Sequence, residues 1–573
     1  MPSSLRRRDA ILRGIFGRML AVLPTLFAVV AAGPVARAAD RTVLAVAACD
    51  SYADLKKQLG WLGTQIDNPG LAGLLESMIL LATQGRGLAG LDVKRPLGAV
   101  VTSDGADLAV HGFVPVKDLE RLLASLQGIT GPVETEGDVR RIVLPSGLPL
   151  EITERDGWAV IAPGGMPGGA ADPTAVLNAV ATSYTVGIET FPGRMSDAVR
   201  GRLEAALEQT AAVSAAQGQP VDTDALKAGL ASLRQTESLG LGLGIDDASG
   251  SVFVENRMIA VPGSVSAVAF NAAGRGTLTV ATPAAADGGS PAVRGYVAQT
   301  VTEASRARVL ESFDRAVPPG SDDPVTKAIV GLVRELLQAT LASGGIDAAV
   351  AIDTSIATQQ SPLPAMTAGV RINDGPALEQ RFKKLFGAGT LPRNVAVKFD
   401  TGKAGAANLH SVAIDLGDSP AADALGKSLE LTLAVAADYA YVLTGGDQPK
   451  RIAAALASSG RADPDAKPIA NVQVAMNRVC RYAGTVTDQP QAAAAAKRAE
   501  EAPHSLLEVF VRPVDRGIVT RLSADAGVLK AVAALSGVPQ APAGPGGVPL
   551  PQVPQALPQG FPQGFPIPVP LPQ

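Results

Sequence analysis

Two stretches of this chain repeat one order of elements: an apolar strand, a second strand after a polar turn, one amphipathic helix, further strands, and a hairpin closed by glycines before another helix. The first runs from about Leu97 to Val180 and the second from Ile346 to Ala457. They open on Ala99-Val100-Val101 and on Ala349-Val350-Ala351-Ile352. The first helix starts near Lys117-Asp118 and places Leu119, Leu122, Leu123 and Leu126 on one stripe; the second starts at Asp374-Gly375-Pro376 and places Leu378, Phe382, Leu385 and Phe386 likewise. That i, i+3, i+4, i+7 spacing predicts helices that bury one face. Gly128 and Gly387 stand where a helix end favours positive φ. The hairpins are Leu150–Thr153 with Gly157–Ile161, and Leu431–Ala434 with Tyr439–Leu443, followed by Gly164-Gly165 and Gly445-Gly446.

Paired strands alternating with single helices predict the α+β class: mainly antiparallel sheets with helices on one face, built from duplicated ββα-containing units. Parallel βαβ crossovers are the alternative. Between the copies, Thr185–Phe191 reads as a strand, Met195–Ala216 as a long helix, and Asp246-Asp247-Ala248-Ser249-Gly250 as a hairpin turn. A further helix is expected where Asp323 can cap and Pro324 can take the first turn, burying Ile329, Leu332, Val333, Leu336 and Leu337 before Gly344-Gly345. Ser505–Val511, Gly517–Leu522 and a helix to Leu535 form a terminal ββα. The boundaries that follow are 1–38 as leader, 39–180 as the first unit, 181–345 as a middle unit, 346–537 as the second unit with the terminal ββα, and 538–573 as tail.

The two ends have a different character. Arg6, Arg7, Arg8, Arg13 and Arg18 precede an apolar run from Met19 to Ala32, and Ala36-Arg37-Ala38 precedes a cut between Ala38 and Ala39. This is the order of a cleavable signal peptide, and the run breaks at Gly33-Pro34, short of the roughly 20 apolar residues of a membrane span. The Arg7-Arg8 pair resembles a twin-arginine leader, and a Sec leader is the other route; either implies export to the periplasm or beyond. From Val538 to Gln573 the chain is Pro, Gln, Gly and aliphatics with no charge, a composition that predicts a disordered, polyproline-rich tail that could dock on an envelope protein.

Loss of residues 1–38 removes six Arg and one Asp, leaving 44 basic against 53 acidic residues, a net charge of −9. No electrostatic case for nucleic acid or anionic lipid remains. Cys49 and Cys480 are the only cysteines; they could pair in an oxidising compartment, or stand as two buried thiols at strand edges.

Catalytic and cofactor motifs fail on context. Gly85-Arg86-Gly87-Leu88-Ala89-Gly90 matches G-x-G-x-x-G but follows a helical run, Leu71–Ala82, instead of joining a strand to a helix. Gly426-Lys427-Ser428 resembles the end of a P-loop, with Ala421 in place of the first glycine and a strand following. His111, His410 and His504 lie far apart on or beside predicted strands, with no H-x-x-H or C-x-x-C spacing, so no metal and no cofactor is expected. Asp246-Asp247 and Asp322-Asp323 mark a turn and a helix cap more simply than a calcium loop. No G-x-S-x-G elbow presents a serine, and Trp61 and Trp158 are expected in packing rather than on sugar platforms.

Gly90-Leu91-Asp92-Val93-Lys94-Arg95-Pro96-Leu97-Gly98-Ala99-Val100-Val101, continuing through Phe113-Val114-Pro115-Val116-Lys117-Asp118-Leu119, resembles a passage recurring in uncharacterised exported proteins of Planctomycetes-type bacteria. The resemblance covers mainly residues 43–165; it implies secretion and an α+β fold and brings no functional residue. The sequence therefore predicts an exported, non-enzymatic scaffold or binding protein of the cell envelope. A carrier of lipid or other apolar ligands, suggested by the aliphatic segments Leu71–Leu81 and Val325–Leu341, is the alternative; a hydrolase using dispersed carboxylates is the third reading.

Overall fold

The structure, a computed structural model, describes residues 41–143, 147–164, 173–216, 231–316, 324–387, 394–417, 426–461, 469–486 and 488–536. The leader with its Ala38-Ala39 cut, the Asp322-Asp323 pair, Gly165 and the tail from 538 to 573 lie outside these residues.

The first ten strands are β1 Thr42–Cys49, β2 Leu97–Ser103, β3 Leu108–Pro115, β4 Glu134–Glu136, β5 Val139–Val143, β6 Pro149–Arg155, β7 Trp158–Pro163, β8 Val186–Thr190, β9 Thr236–Asp246 and β10 Ser251–Ala260. With them come helices α1 Tyr52–Gln65, α2 Leu71–Ala82, α3 Leu119–Thr130, α4 Thr174–Ala181, α5 Asp197–Ala216 and α6 Val265–Ala273. The next ten strands are β11 Val293–Thr300, β12 Gly345–Asp353, β13 Ala365–Arg371, β14 Val395–Ala404, β15 Ala407–Asp415, β16 Ser428–Val435, β17 Tyr439–Thr444, β18 Ala470–Ala475, β19 Leu506–Val514 and β20 Gly517–Asp525. Their helices are α7 Glu303–Ala316, α8 Pro324–Ala342, α9 Gly375–Gly387, α10 Gln448–Ser458, α11 Met476–Val486, α12 Pro490–Glu500 and α13 Ala526–Leu535.

Among the described residues every pairing is antiparallel, and together the strands form one sheet in the order β4-β5-β6-β7-β3-β2-β1-β8-β9-β10-β20-β19-β18-β11-β12-β13-β17-β16-β15-β14. The order reads the same from both ends: each strand of the first half has its counterpart ten strands later. Helices follow suit, α3 and α9 after β3 and β13, α4 and α10 after β7 and β17, α6 and α13 after β10 and β20. The mirrored order extends past the limits read from sequence. Strands β8 to β10 of the expected middle unit continue the first half through β1, and β11 belongs with β12 in the second, so the sheet has no break at 180 or 345.

Helices cover both faces of the sheet, which corrects the expectation of one. Side chains alternate along a strand. Trp158 and Val160 of β7 pack with Leu177 and Val180 of α4, while Ala159 between them packs with Leu119, Leu122 and Leu123 of α3. The second half does the same: Tyr441 and Leu443 of β17 meet Ile452 and Ala455 of α10, and Ala440 meets Leu378, Phe382 and Phe386 of α9. Each amphipathic helix thus finds its own apolar face of the shared strands.

Local chemistry sets the element ends. Asp118 caps α3 by accepting from the Arg121 N–H at 2.9 Å, and Asp374 accepts from the Ala377 N–H at 3.0 Å at the start of α9. Helix α3 runs through Gly128 and ends at Gly131, where φ is +74°; Gly128 and Gly387 are not the positive-φ positions expected of them. The Asp246 carboxylate accepts from the Ala248 and Ser249 N–H groups, and Gly250 has φ +74°, which closes the β9–β10 turn.

Two features position everything else. The halves meet along β10 and β20, paired from Ser251 with Asp525 to Ile259 with Gly517. At this seam the buried Glu255 lies opposite Arg521, accepting from its Nε at 2.8 Å and from the Tyr184 hydroxyl at 2.8 Å. The segment between α6 and β11 is strapped onto the second half: the buried Asp347 carboxylate accepts from the Thr279 and Val280 N–H groups, and Asp353 from the Ala286 N–H at 2.7 Å.

Candidate functional site

Helix α2 is the first place to differ from expectation. An aliphatic segment is ordinarily core or cavity wall, yet α2 has no buried residue, and Leu74, Met78 and Leu81, on one stripe, are exposed, Leu81 at 83%. Its sole charge, Glu76, is held by Lys56 of α1. Among the described residues no helix is long and apolar enough to cross a membrane. A cavity of about 260 Å³ lies beside the strap, lined among others by Thr279, Thr282, Arg294, Tyr296 and Arg461.

The residues singled out from sequence are scattered. Trp158 is core, edge-on to Phe113 at 6.3 Å, with the Arg95 guanidinium 4.0 Å from its ring centre. The Gly85–Gly90 segment leaves α2 for an isolated bridge at Leu91, and a Cβ at Gly90 would lie 2.3 Å from the Asp118 carbonyl oxygen, so this glycine serves close packing. Gly426-Lys427-Ser428 leads into β16. Cys49 ends β1 and Cys480 lies within α11, not on a strand; both are free thiols. Burial, with the nearby Asp50 charge, pushes the Cys49 thiol up to about 11, and burial raises Cys480 as well. His111 is buried on β3, and His504 is exposed before β19.

His410 is different, because folding brings it three charged neighbours. Glu379 and Lys383, one turn apart, share a face of α9. Asp400 sits in a bulge of β14, where the register with β15 shifts between Lys398 and Gly402 and φ of Asp400 is +54°. The side chain of His410, on β15, is fully buried, its ring 5.5 Å from that of Phe382 and 6.1 Å from that of Phe399. The Asp400 N–H, turned out of the ladder by the bulge, donates to His410 Nδ1 at 3.1 Å. His410 Nε2 lies 3.6 Å from Glu379 Oε1, too far for a hydrogen bond, and among the described residues has no other partner. Lys383 Nζ bridges the carboxylates, 2.7 Å from Glu379 Oε1 and 2.9 Å from Asp400 Oδ1. Asn408 donates to Glu379 Oε2 at 3.0 Å.

The electrostatics follow. Burial depresses the His410 pKa, the Lys383 charge adds to that, and Glu379 and Asp400 pull the other way without prevailing. Burial pushes the Glu379 carboxyl up, but hydrogen bonds from Lys383 and Asn408 outweigh it and hold it below its ordinary value. The Lys383 hydrogen bond lowers Asp400. The imidazole is therefore neutral and both carboxylates are charged at neutral pH.

One ligand atom each from Glu379, Asp400 and His410 falls within 4.8 Å of the others, close enough to surround a cation. Two facts argue against a metal site. The cation between the carboxylates is already the Lys383 ammonium. With Nδ1 accepting from a backbone N–H, the ring proton must reside on Nε2, the nitrogen that faces Glu379, which leaves neither nitrogen with a free lone pair. The geometry instead suits proton exchange. Sequence reasoning searched for histidine spacing and missed this cluster; the signal within reach was the Glu379, Lys383 pair on α9, whereas the bulge that aims the Asp400 N–H had none. Set against protein families, curated proteins and solved structures, the chain matches no family model, no curated protein and no solved structure.

Proposed function

We propose that the chain is an exported, non-enzymatic scaffold or binding protein of the bacterial envelope, whose two halves arose by duplication and whose 538–573 tail engages an envelope partner. The observation that carries the reading is the sheet itself. Binding pockets favour the clefts between domains. Here the halves join by nine consecutive residue pairs of β10 and β20. The mirrored order of the described strands supports duplication, and the basic leader with its Ala38-Ala39 cut supports export.

A lipid carrier would need an apolar chamber, on the order of 300–1,000 Å³ for a drug-sized ligand. The cavity beside the strap, about 260 Å³ and bordered by Arg294 and Arg461, fits that poorly. The test is native mass spectrometry of the protein purified from its own envelope fraction, with and without residues 538–573. A protein partner lost with the tail is expected. A small molecule retained in both samples would overturn the scaffold reading in favour of a carrier, and bare monomers in both would remove the docking role of the tail.

A further inference from the structure

His410 is held neutral by its surroundings, yet the groups its charged form requires stand beside it. In the neutral ring Nδ1 accepts the Asp400 N–H and the proton on Nε2 points toward Glu379 without reaching it. A second proton must go to Nδ1. There it would meet the hydrogen of the Asp400 N–H across 3.1 Å, and the two cannot coexist. The bulge has to yield. The imidazolium would then have a carboxylate on each side, Glu379 Oε1 at 3.6 Å from Nε2 and Asp400 Oδ1 at 4.0 Å from Nδ1. Small shifts make both into charge-assisted hydrogen bonds. The ammonium that now holds these carboxylates belongs to Lys383, whose side chain is 34% exposed and can turn into water.

The element that must move is free to do so. β14 is the last strand at this end of the sheet and among the described residues pairs with β15 alone, with its register already interrupted from Lys398 to Gly402. Rearranging the bulge breaks no second ladder. The other groups against the ring, Phe382 of α9 and Phe399 of β14, are apolar, so the charged groups facing it are Glu379 and Lys383 from α9 and Asp400 from β14.

We propose that His410 is a proton-operated latch on edge strand β14: on taking up a proton it exchanges the Asp400 N–H for the carboxylates of Glu379 and Asp400, Lys383 leaves, and the 398–402 bulge is released. The balance is one proton in from solvent, which forms the Nδ1–H bond of the imidazolium; every other bond made or broken is a hydrogen bond. Because burial lowers the His410 pKa, the latch opens below the ordinary histidine value of 6.5; because Glu379 and Asp400 are also lowered, both are still charged when it does. For an exported protein, that window is one the surroundings can reach.

The experiment uses the full mature chain labelled with ¹⁵N-histidine, following imidazole nitrogen shifts and backbone amide exchange from pH 7.5 to pH 4.5. The expected result is an Nε2–H tautomer for His410 at neutral pH, then protonation with a roughly tenfold or greater loss of amide protection confined to β14. Lys383→Met, which removes the opposing cation, moves both events together to higher pH. His410→Asn, whose side-chain oxygen can accept the Asp400 N–H, keeps β14 protected throughout. Protonation without a change in β14 overturns the proposal, as does a ring that stays neutral until the whole protein unfolds. If His410→Asn does not fold, Lys383→Met still decides: an unmoved transition is equally fatal.

Discussion

The layer between α3 and β5 in the first half and the layer between α9 and β15 in the second occupy corresponding places in the sheet, and they solve one packing problem with opposite chemistry. Counting from the capping aspartates, Leu122 and Leu378 match and both are buried, but the next position is the buried Leu123 in one half and Glu379 in the other. By strand register, Arg140, opposite Ile152, matches His410, opposite Leu433. The first half keeps its charge at the rim, where Arg140 Nε donates to Glu120 at 2.7 Å, and fills the interior with leucine. The second brings the charge inside and has to satisfy it with Lys383, Asn408 and a bulged backbone. Ion pairs that are only partly buried, ringed around a buried histidine, are a poorer source of stability than apolar packing, so the second layer is the costlier way to hold a helix on a sheet. The α4 and α10 sides differ in volume as well. Phe113 pairs with Val160 on one, whereas on the other Gly369 pairs with Tyr441, the large ring having moved to the opposite strand.

The largest expected effect tests that exchange of volume. Phe113→Ala should destabilise the protein by about 4 kcal/mol in urea unfolding, since the ring is buried against Trp158. Gly369→Ala should cost about 2 kcal/mol, because its Cβ would lie 2.3 Å from the Tyr441 ring, and pairing it with Tyr441→Val should cost less than the sum of the two single changes. Additive losses would show that the rings are not counterparts.

Next comes the seam on which the comparison depends. Glu255→Ala strips the Arg521 guanidinium and the Tyr184 hydroxyl of their common acceptor, and should cost roughly 3 kcal/mol with both halves still unfolding together. Two separate transitions in calorimetry would mean that the β10–β20 pairing does not couple them. Burial, together with the hydrogen bond to Glu255, pushes Tyr184 up to about 12, so its ultraviolet titration should move down in this variant.

Smaller still is the conversion of one layer into the other. Glu379→Leu removes the acceptor for Lys383 and Asn408 and should cost about 1 kcal/mol at pH 7. In the wild type, the folded His410 pKa lies below its unfolded value, so its contribution is complete above pH 6.5 and is lost as pH falls through the folded value. The lowered Glu379 and Asp400 lose theirs further down, below the ordinary carboxylate range. Glu379→Leu should also remove one of the two charges favouring the imidazolium, moving the histidine-dependent loss to lower pH in thermal melts. An unchanged profile would detach the acid response from this cluster.

The smallest effect is expected at α2: Leu81→Ser should change stability by less than about 0.5 kcal/mol, because the side chain is already in water. A loss of several times that would mean α2 is covered in the protein as it exists in solution.

Much of this was legible in the sequence where the physics is local. The hairpins of β6 with β7, β9 with β10 and β19 with β20 lie between residues a few positions apart, and Asp118, Asp374 and Asp246 announce their caps and turn by side chains that bond backbone within three residues. The apolar stripes of α3 and α9 gave most of their buried faces for the same reason, with the exception of Leu385, which was expected inside and is exposed. The exposed α2 shows the limit of that reasoning: composition records that a segment is aliphatic, not whether anything lies over it.

What the sequence determined by itself, then, is these local hairpins, capped helices and turns and the α+β class they add up to, because periodicity and capping act over a turn or two of chain; helices such as Tyr52–Gln65 and Pro490–Glu500 were not read from it. Only the tertiary structure decided that Ser251 pairs with Asp525, that β1 lies between β2 and β8, that helices cover both faces, and that His410 meets Glu379, Lys383 and Asp400. Those partners are chosen by the burial and hydrogen bonding of surfaces far apart along the chain, and no local pattern carries that information.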